Sequence, residues 1–593
     1  IMCGIIAIIR KTKEKTSFNT GAMLASLSHR GPDDHGTLSF PSCTLGQTRL
    51  SIIDLSGGHQ PMRDNAREMA VTFNGEIYNY RELKKDLEEK GYVFSTNSDT
   101  EVILKAYQEY GDECPKYLDG MFAFAIWDNE KEKLFMARDR FGKKPLYYAF
   151  DGDKNLLIAS EIKALFASGK INGVLDNEAI DNYLTLMYIP PRKTVYKNIH
   201  VIPPASFAIF KDGDIDIQTY WRLEKKPTPL PYEDAKEEVR RLLTKSVKKR
   251  MIADVEIGSF LSGGVDSTLV TAIAQTFSKT PIKTFSVGYQ DYINELPFAA
   301  EAAQVIGTDH HTLQAKDDMV KELQSAIEYF DEPHADSSDF PQHLVSKLAS
   351  TKVKVALSGD GADELFLGYG WYMRHKNLSY RAHFKEKVFM SPFTGYLNAV
   401  QIFTPAERKK LWKDRSHVNS DFIPPEVANS KLSSAEKINL FDLTAYLPGQ
   451  LLVKADRMGM INSLEIRSPF LDHHLAEFVY NLPDDFKTDN SMFKRILKDI
   501  LGETMPHEFV HRRKQGFGAP VKKWLREAAF KDEVYAKLYV PHADIYTILD
   551  EQFVKMMIDD FYLNGNDRYN YKIWVLYCLE LWFNSHKQYF TAS

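Results

Sequence analysis

The chain has 593 residues, more than one hydrophobic core ordinarily supports, so two or more domains are expected. With 44% hydrophobic and 26% charged residues and a formal net charge of -5, it has an ordinary globular composition and lacks the excess of cations that general nucleic-acid binding requires. No apolar run approaches the roughly 20 residues of a membrane helix, and Ile5 to Ile9 is too short and wrongly flanked for a signal peptide. The expectation is a cytoplasmic protein that meets neither membrane nor nucleic acid.

In chain order, the residues up to about Gly213 alternate short β-rich segments with turns. "MAVTF" precedes "NGE", "MFAFAIWDNEKEKLFMARDR" reads as a hairpin, and "KPLYYAF" and "LLIAS" as further strands. Two helices interrupt them: "YNYRELKKDLEEKGY", ending at Gly91, and "SDTEVILKAYQEYG", which follows a capping Asp99 and ends at Gly111. This pattern fits a layered α+β domain. "EKKPTPLPYED" (Glu224 to Asp234) has the composition of a linker, and the expected division is 1–213, a connecting segment 214–233, and 234–593.

Beyond the linker the rhythm changes. Helix "EDAKEEVRRLLTKSVKKRM" leads to strand "VEIGSFL", helix "STLVTAIAQTF", strand "IKTFSVG", and, after further helices, strand "VKVALSG". Strands separated by helices imply a parallel sheet with ligands at its carboxyl ends. After about Leu365 the chain reads mainly as helix. The aromatic and basic stretch Leu365 to Phe389 reads equally as the wall of an acceptor pocket and as a surface helix.

Two loops follow strands of that sheet. "SGGVDS" (Ser262 to Ser267) has glycines that let the backbone approach an anion, at the N-terminus of a helix with unpaired N–H groups. It is not the Walker pattern, whose lysine is missing. "SGDGADE" (Ser358 to Glu364) crowds three carboxylates into one turn, which calls for a cation. Mg²⁺ held by one or two carboxylates and phosphate oxygens answers that need, with Asp266 and Asp363 as the ligands. The four cysteines, Cys3, Cys43, Cys114 and Cys578, are scattered without a C-x-x-C pair, so neither a disulfide framework nor a zinc site is expected.

These loops, with "DEPHADSS", "LEIRSPFLD" and "RRKQGFGAP", resemble the synthetase domain of glutamine-hydrolysing asparagine synthetases, a member of the ATP pyrophosphatase group. The resemblance implies that a carboxylate is activated by ATP as an acyl-adenylate and then attacked by ammonia. By position it implies pyrophosphate contacts from Ser262, Gly263, Gly264, Asp266 and Ser267, and nucleotide contacts from Phe260, Val287, Ser358 and Gly359. Lys494 matches a lysine facing the phosphates, although its segment also reads as a solvated helix, and Arg457 is a further phosphate candidate. Where well-known relatives have "SGEG" this chain has "SGDG", which puts Asp360 at the acid–base position with a side chain one methylene shorter.

The front of the chain resembles the N-terminal-nucleophile glutaminase domain of the same enzymes through "MCGI", "HRGPDD", "TRLSIID", "NGEIYNY" and "SDTE". Cys3 matches the nucleophile. A free α-amine, with a reference pKa of about 7.7–8.0, serves as its base in such domains. Were Met2 the start and removed, Cys3 would carry that amine; with Ile1 and Met2 retained, the expectation is an impaired glutaminase. Asn74 and Gly75 match the oxyanion-hole pair, Arg49 the grip on the glutamine α-carboxylate, and Glu76 and Asp99 the contacts to its amino end. "NGE" also reads as a hairpin turn and Asp99 as a helix cap.

The implied fold is an α+β glutaminase domain of layered antiparallel sheets followed by an α/β parallel-sheet domain with a helical C-terminal part. The implied activity is glutamine-dependent amidation of a carboxylate. Aspartate is the leading acceptor, with a sugar acid, diaminopimelate or natural-product acid as the alternative. ATP and Mg²⁺, an apolar ammonia tunnel between the sites, and a homodimer are implied with it.

Overall fold

The computed structural model describes residues 3–12, 18–64, 66–227, 229–289, 294–315, 320–372, 374, 391–418, 422–489, 492–512 and 518–591. The chain opens with β1 (Cys3–Ile9), β2 (Asp34–Ser39), β3 (Cys43–Arg49), β4 (Met62–Asp64) and β5 (Met69–Ile77). After two helices come β6 (Gly120–Asp128), β7 (Lys133–Arg138), β8 (Tyr147–Phe150), β9 (Leu156–Ala159) and β10 (Gly173–Val174). β11 (Ile199–Val201), β12 (Ser206–Lys211) and β13 (Asp214–Thr219) complete this half. Two antiparallel six-stranded sheets result, in the orders β11-β8-β9-β1-β3-β2 and β13-β12-β7-β6-β5-β4.

The period of two along each strand explains the layering. Ile5, Ala7 and Ile9 of β1 pack against Ala123, Ala125 and Trp127 of β6, the inner faces of a sandwich. Ile6 and Ile8 point the other way, onto Leu24, Leu27 and Leu165 of the covering helices. On the far side, Val71 and Phe73 of β5 meet Val102, Ile103 and Ala106 of the helix Asp99–Tyr110. Strands buried on both faces show little polar alternation, so β1, β3 and β5 read as continuous buried runs.

The second half holds β14 (Ile257–Phe260), β15 (Lys283–Tyr289), β16 (Asp309–Ala315), β17 (Val355–Leu357) and β18 (Glu465–Arg467), all parallel, in the order β16-β15-β14-β17-β18. The strand order reverses between β14 and β17, and in open parallel sheets the crevice at that reversal is where ligands bind. "SGGVDS" leaves β14 and "SGDGADE" leaves β17, so the topology sets the two loops side by side. The C-terminal helix Asn570–His586 is apolar nearly all round. Its Trp574, Tyr577 and Trp582 share one core with Tyr183 and Tyr196 of the first half, and β19 (Phe590–Thr591) pairs with β10.

Several local expectations shift by a residue or an element. Asn74-Gly75-Glu76 is not a turn but lies within β5, held by β6. The helix cap is Ser98, whose side chain accepts from Thr100 N–H, which leaves Asp99 as the first helical residue with its carboxylate turned inward. Residues 214–219, assigned to the connecting segment by their polarity, form the exposed edge strand β13. β16 and β18 were not anticipated, because polar and charged residues fill them.

Candidate functional site

In the first domain, strand pairing places Cys3 opposite Arg49, and β5 runs beneath them. Cys3 N–H donates to Asn74 Oδ1 at 3.0 Å, and Arg30 Nε donates to Cys3 O at 3.0 Å, so the nucleophile's backbone is held at both ends. Burial pushes the Cys3 thiol up to about 12, so it stays protonated until a base takes the proton. Residues 1 and 2, and with them the expectation about Ile1, lie outside the described residues.

Gly75 has φ +147°, and a Cβ there would lie 2.0 Å from Met121 O, so only glycine fits where β5 crosses β6. Asn74 Nδ2, Arg49 Nε and Asp99 Oδ1 are buried polar atoms without a hydrogen-bond partner. A buried donor or acceptor left unpaired is costly unless a ligand meets it. These three belong to the three residues expected to polarise the amide, hold the α-carboxylate and hold the ammonium of glutamine. Arg49 differs from the expectation in one respect. Its Nη2 already donates to Ile53 O and Asp54 O at 3.1 and 2.8 Å and its Nη1 to Leu55 O at 3.3 Å, which leaves Nε as the nitrogen without a partner. Glu76 meets Arg467 of the second domain, Nη2 to Oε1 3.1 Å.

In the second domain, a cavity of about 710 Å³ opens at the reversal of strand order. Phe260, Ser262, Gly263, Gly264, Asp266, Ser267, Val287, Ser358, Gly359, Asp360, Asp363 and Lys494 all line it. Gly263, at φ +74°, would place a Cβ 2.6 Å from Phe298 C; Gly359 would place one 2.9 Å from Asp266 Cβ. Glycine thus lets the two loops close on one another. The helix Val265–Thr276 starts within the first loop, so Asp266 and Ser267 occupy its first turn with Gly264 as N-cap.

Lys494 Nζ lies 2.5 Å from Asp266 Oδ2 and 2.7 Å from Asp363 Oδ1. Burial opposes its charge, but the two carboxylates outweigh that and hold it above the ordinary lysine range. Lys494 is the cation that Asp266 and Asp363 hold between them, and two carboxylates are also a donor set that suits Mg²⁺. Asp360 Oδ2 accepts from Ser358 Oγ at 2.8 Å, and burial raises its pKa.

Arg457 does not join this group. It pairs with Glu161 at 3.0 Å and Asp456 at 3.3 Å at the junction of the domains. Lys454, one helical turn earlier, faces the cavity instead, donating to Ser338 Oγ at 2.8 Å. Sequence reasoning did not single out Lys454 or Asp336, which line the cavity beside Glu364 of the second loop and Tyr369 of the stretch read as a candidate acceptor wall. Asp336 lies within the quoted segment "DEPHADSS", whose acidic residues are the signal that a finer reading needed. Of the stretch Leu365 to Phe389, residues 373 and 375–389 lie outside the described residues; Tyr369 reaches the cavity and donates to Glu364.

The sequence matches the asparagine synthase family model over residues 238–584, more than half of the chain, and a glutamine amidotransferase domain model over residues 2–221. The chain belongs to the asparagine synthase family. Asparagine synthetase [glutamine-hydrolyzing] 1 of Bacillus subtilis is 33% identical, covering 99% of this chain and 98% of that protein. Asparagine synthetase [glutamine-hydrolyzing] 3 of the same organism is 30% identical over 94% of this chain and 93% of its own length. A fungal protein, amidase chyE of Penicillium rubens, is 27% identical over 88% and 89%. No described helix is long and apolar enough to cross a membrane.

Proposed function

We propose that the protein makes an amide from a carboxylate, ATP and the side-chain nitrogen of glutamine, with aspartate as acceptor and asparagine as product. The observation that carries this reading is the single cavity in which two glycine loops, Lys494 and Asp360 converge at the reversal of strand order. In the first step a carboxylate oxygen of the acceptor attacks the α-phosphorus of ATP, and the bond to pyrophosphate breaks. Ser262, Gly263, Gly264 and Ser267 offer donors to the departing pyrophosphate, and Lys494 moves its charge from the two acids to the phosphates. Asp266 and Asp363 would hold Mg²⁺, which supplies further charge neutralisation. In the second step ammonia attacks the acyl carbon, AMP leaves, and Asp360, whose burial raises its proton affinity, accepts a proton.

Ammonia comes from the other domain. A base takes the Cys3 proton, the thiolate attacks the amide carbon of glutamine, and the Asn74 Nδ2 and Gly75 N–H groups meet the developing oxyanion. The carbon–nitrogen bond then breaks as that proton passes to the nitrogen, water hydrolyses the thioester to glutamate, and the ammonia released must travel inward. A void of about 10 Å³, water-sized, lies between Lys143 and Lys144 of the first domain and Leu452, Ala455, Asp456, Ile466 and Ser468 of the second. Its lining includes residues of neither site, and its charges depart from the apolar tunnel expected.

A second reading changes only the acceptor. Asp336, Asp360 and Glu364 face the cavity near Lys454, an acidic wall that suits an acid bearing an amine or hydroxyls as well as it suits aspartate. Pyrophosphate release with ATP, Mg²⁺ and ammonium, screened across acids, tests both. Aspartate as the strongest stimulant supports the first reading, another acid supports the second, and no stimulation by any acid overturns the activity itself.

A further inference from the structure

The glutamine pocket is not built by the first domain alone. Arg467, the last residue of β18, is fully buried and reaches out of the parallel sheet to Glu76 on β5, Nη2 to Oε1 3.1 Å. Its Nε donates to Glu465 Oε1 at 2.6 Å, and Nη1 donates to Arg250 O at 2.8 Å and Ile252 O at 2.7 Å. The guanidinium is thus fixed from three directions, and its remaining direction is Glu76. Glu76 directly follows the oxyanion pair Asn74 and Gly75 in the strand. The main chain of the same arginine belongs to the other site: Ser358 N–H donates to Arg467 O at 2.9 Å, and Ser358 Oγ donates to Asp360.

We propose that Arg467 is a positioning residue for glutamine hydrolysis, favouring the ionised form of the Glu76 carboxylate, aiming it at the substrate's ammonium and tying that grip to the loop Ser358–Asp360. The inference rests on Glu76 being a glutamine contact, as the proposed function has it. A buried carboxylate without a cation takes up a proton, and a neutral acid grips an ammonium poorly. Burial, with Asp99 and Glu465, raises Glu76 and Arg467 lowers it, and the balance with Arg467 in place stands at about 8. Tyr78 also faces this group, with Arg250 over its ring at 4.4 Å. Because β18 pairs with β17, a shift of the nucleotide loop that disturbs this ladder loosens the grip on glutamine.

The test is steady-state glutamate release by Arg467→Gln, Glu76→Gln, the double variant and Arg467→Lys, with thermal melting as the folding control. Arg467→Gln is expected to raise KM for glutamine about tenfold near neutral pH with little change in kcat, and the fall of KM with rising pH, centred near about 8 while Arg467 faces Glu76, is expected to move to higher pH. In the Glu76→Gln background the arginine substitution is expected to add less than about twofold, because its partner is gone. A KM profile for Arg467→Gln that parallels wild type, or costs that multiply in the double variant, overturns the proposal. Should Arg467→Gln fail to fold, Arg467→Lys replaces it, with about a threefold rise in KM that vanishes in the Glu76→Gln background; wild-type KM, or a rise independent of Glu76, overturns it. If Glu76→Gln alone leaves KM unchanged, what falls is the assignment of Glu76 to glutamine, a separate and visible outcome.

Discussion

The two sites differ in what walls them. At the proposed glutamine site, Cys3, Arg49, Asn74, Glu76 and Asp99 stand on or beside antiparallel strands, and each exposes 1% or less of its surface. The nucleotide cavity is bounded by loops and helix starts, and several of its residues, Ser262 and Asp360 among them, remain partly exposed. A pocket held by ladder hydrogen bonds orients reacting groups before substrate arrives. On the proposed function the loop-built cavity admits a large anion and releases pyrophosphate, and its resting state sets its charges against each other, Lys494 against Asp266 and Asp363. Substitutions in the first site should therefore act on a step of chemistry, and substitutions in the second on a balance of charge.

The sharpest way to break that comparison is Cys3→Ala. Glutamine-dependent product should fall by at least about a thousandfold, while ammonia-dependent product is retained, because the thiol serves only the first site. Loss of both activities in a folded variant would mean that the sites are not separable. Lys494→Met comes next. It should cost amidation from either nitrogen source about 10²–10³-fold, with glutamate release preserved, since a charge aimed at the phosphates is removed and two acids are left facing each other. Asn74→Ala should cost about 2.7–4 kcal/mol of transition-state stabilisation in glutamine hydrolysis, read as kcat, with ammonia-dependent synthesis unchanged.

The same contrast explains what could be read in advance. The nucleotide loops are local: strand, glycine turn and helix start lie within a dozen residues, so "SGGVDS" and "SGDGADE" carry their structural context with them. The strand order that makes them neighbours is not local, but the alternation of strand and helix implied a parallel sheet with ligands at its carboxyl ends. β18 stayed hidden because its three residues are Glu465, Ile466 and Arg467, and burial of the two charges depends on partners far away in the chain. Asn74 to Glu76 looked like a turn because its residue types favour one; the pairing with β6 that overrides this involves residues more than forty positions later. Arg457 and Lys454 are both cations on one helix, three residues apart, and only packing decides that Lys454 meets the cavity while Arg457 meets Glu161.

The smallest effect concerns the seam between the two regions. Arg30 grips Asp456 with both Nη atoms, at 2.8 and 3.0 Å, and Glu161 at 2.7 Å, so a first-domain arginine that holds Cys3 O is anchored on a second-domain helix. Burial alone would raise the pKa of Asp456, but Arg30 and Lys144 overcome it and hold the carboxyl below its ordinary value. A folded-state pKa below the unfolded one contributes stability that is present above the unfolded value, about 3.9 for aspartate, and is lost as pH falls through the folded value. Asp456→Asn should therefore be less stable than wild type by about 2 kcal/mol near neutral pH, through lost charge-assisted hydrogen bonds. The gap should close as pH falls below about 4, because a protonated aspartate resembles asparagine. Melting of both proteins across that range checks it. A gap that stays constant with pH would mean that the seam is held by shape and apolar contact, and that the two sites share a core without sharing this charge.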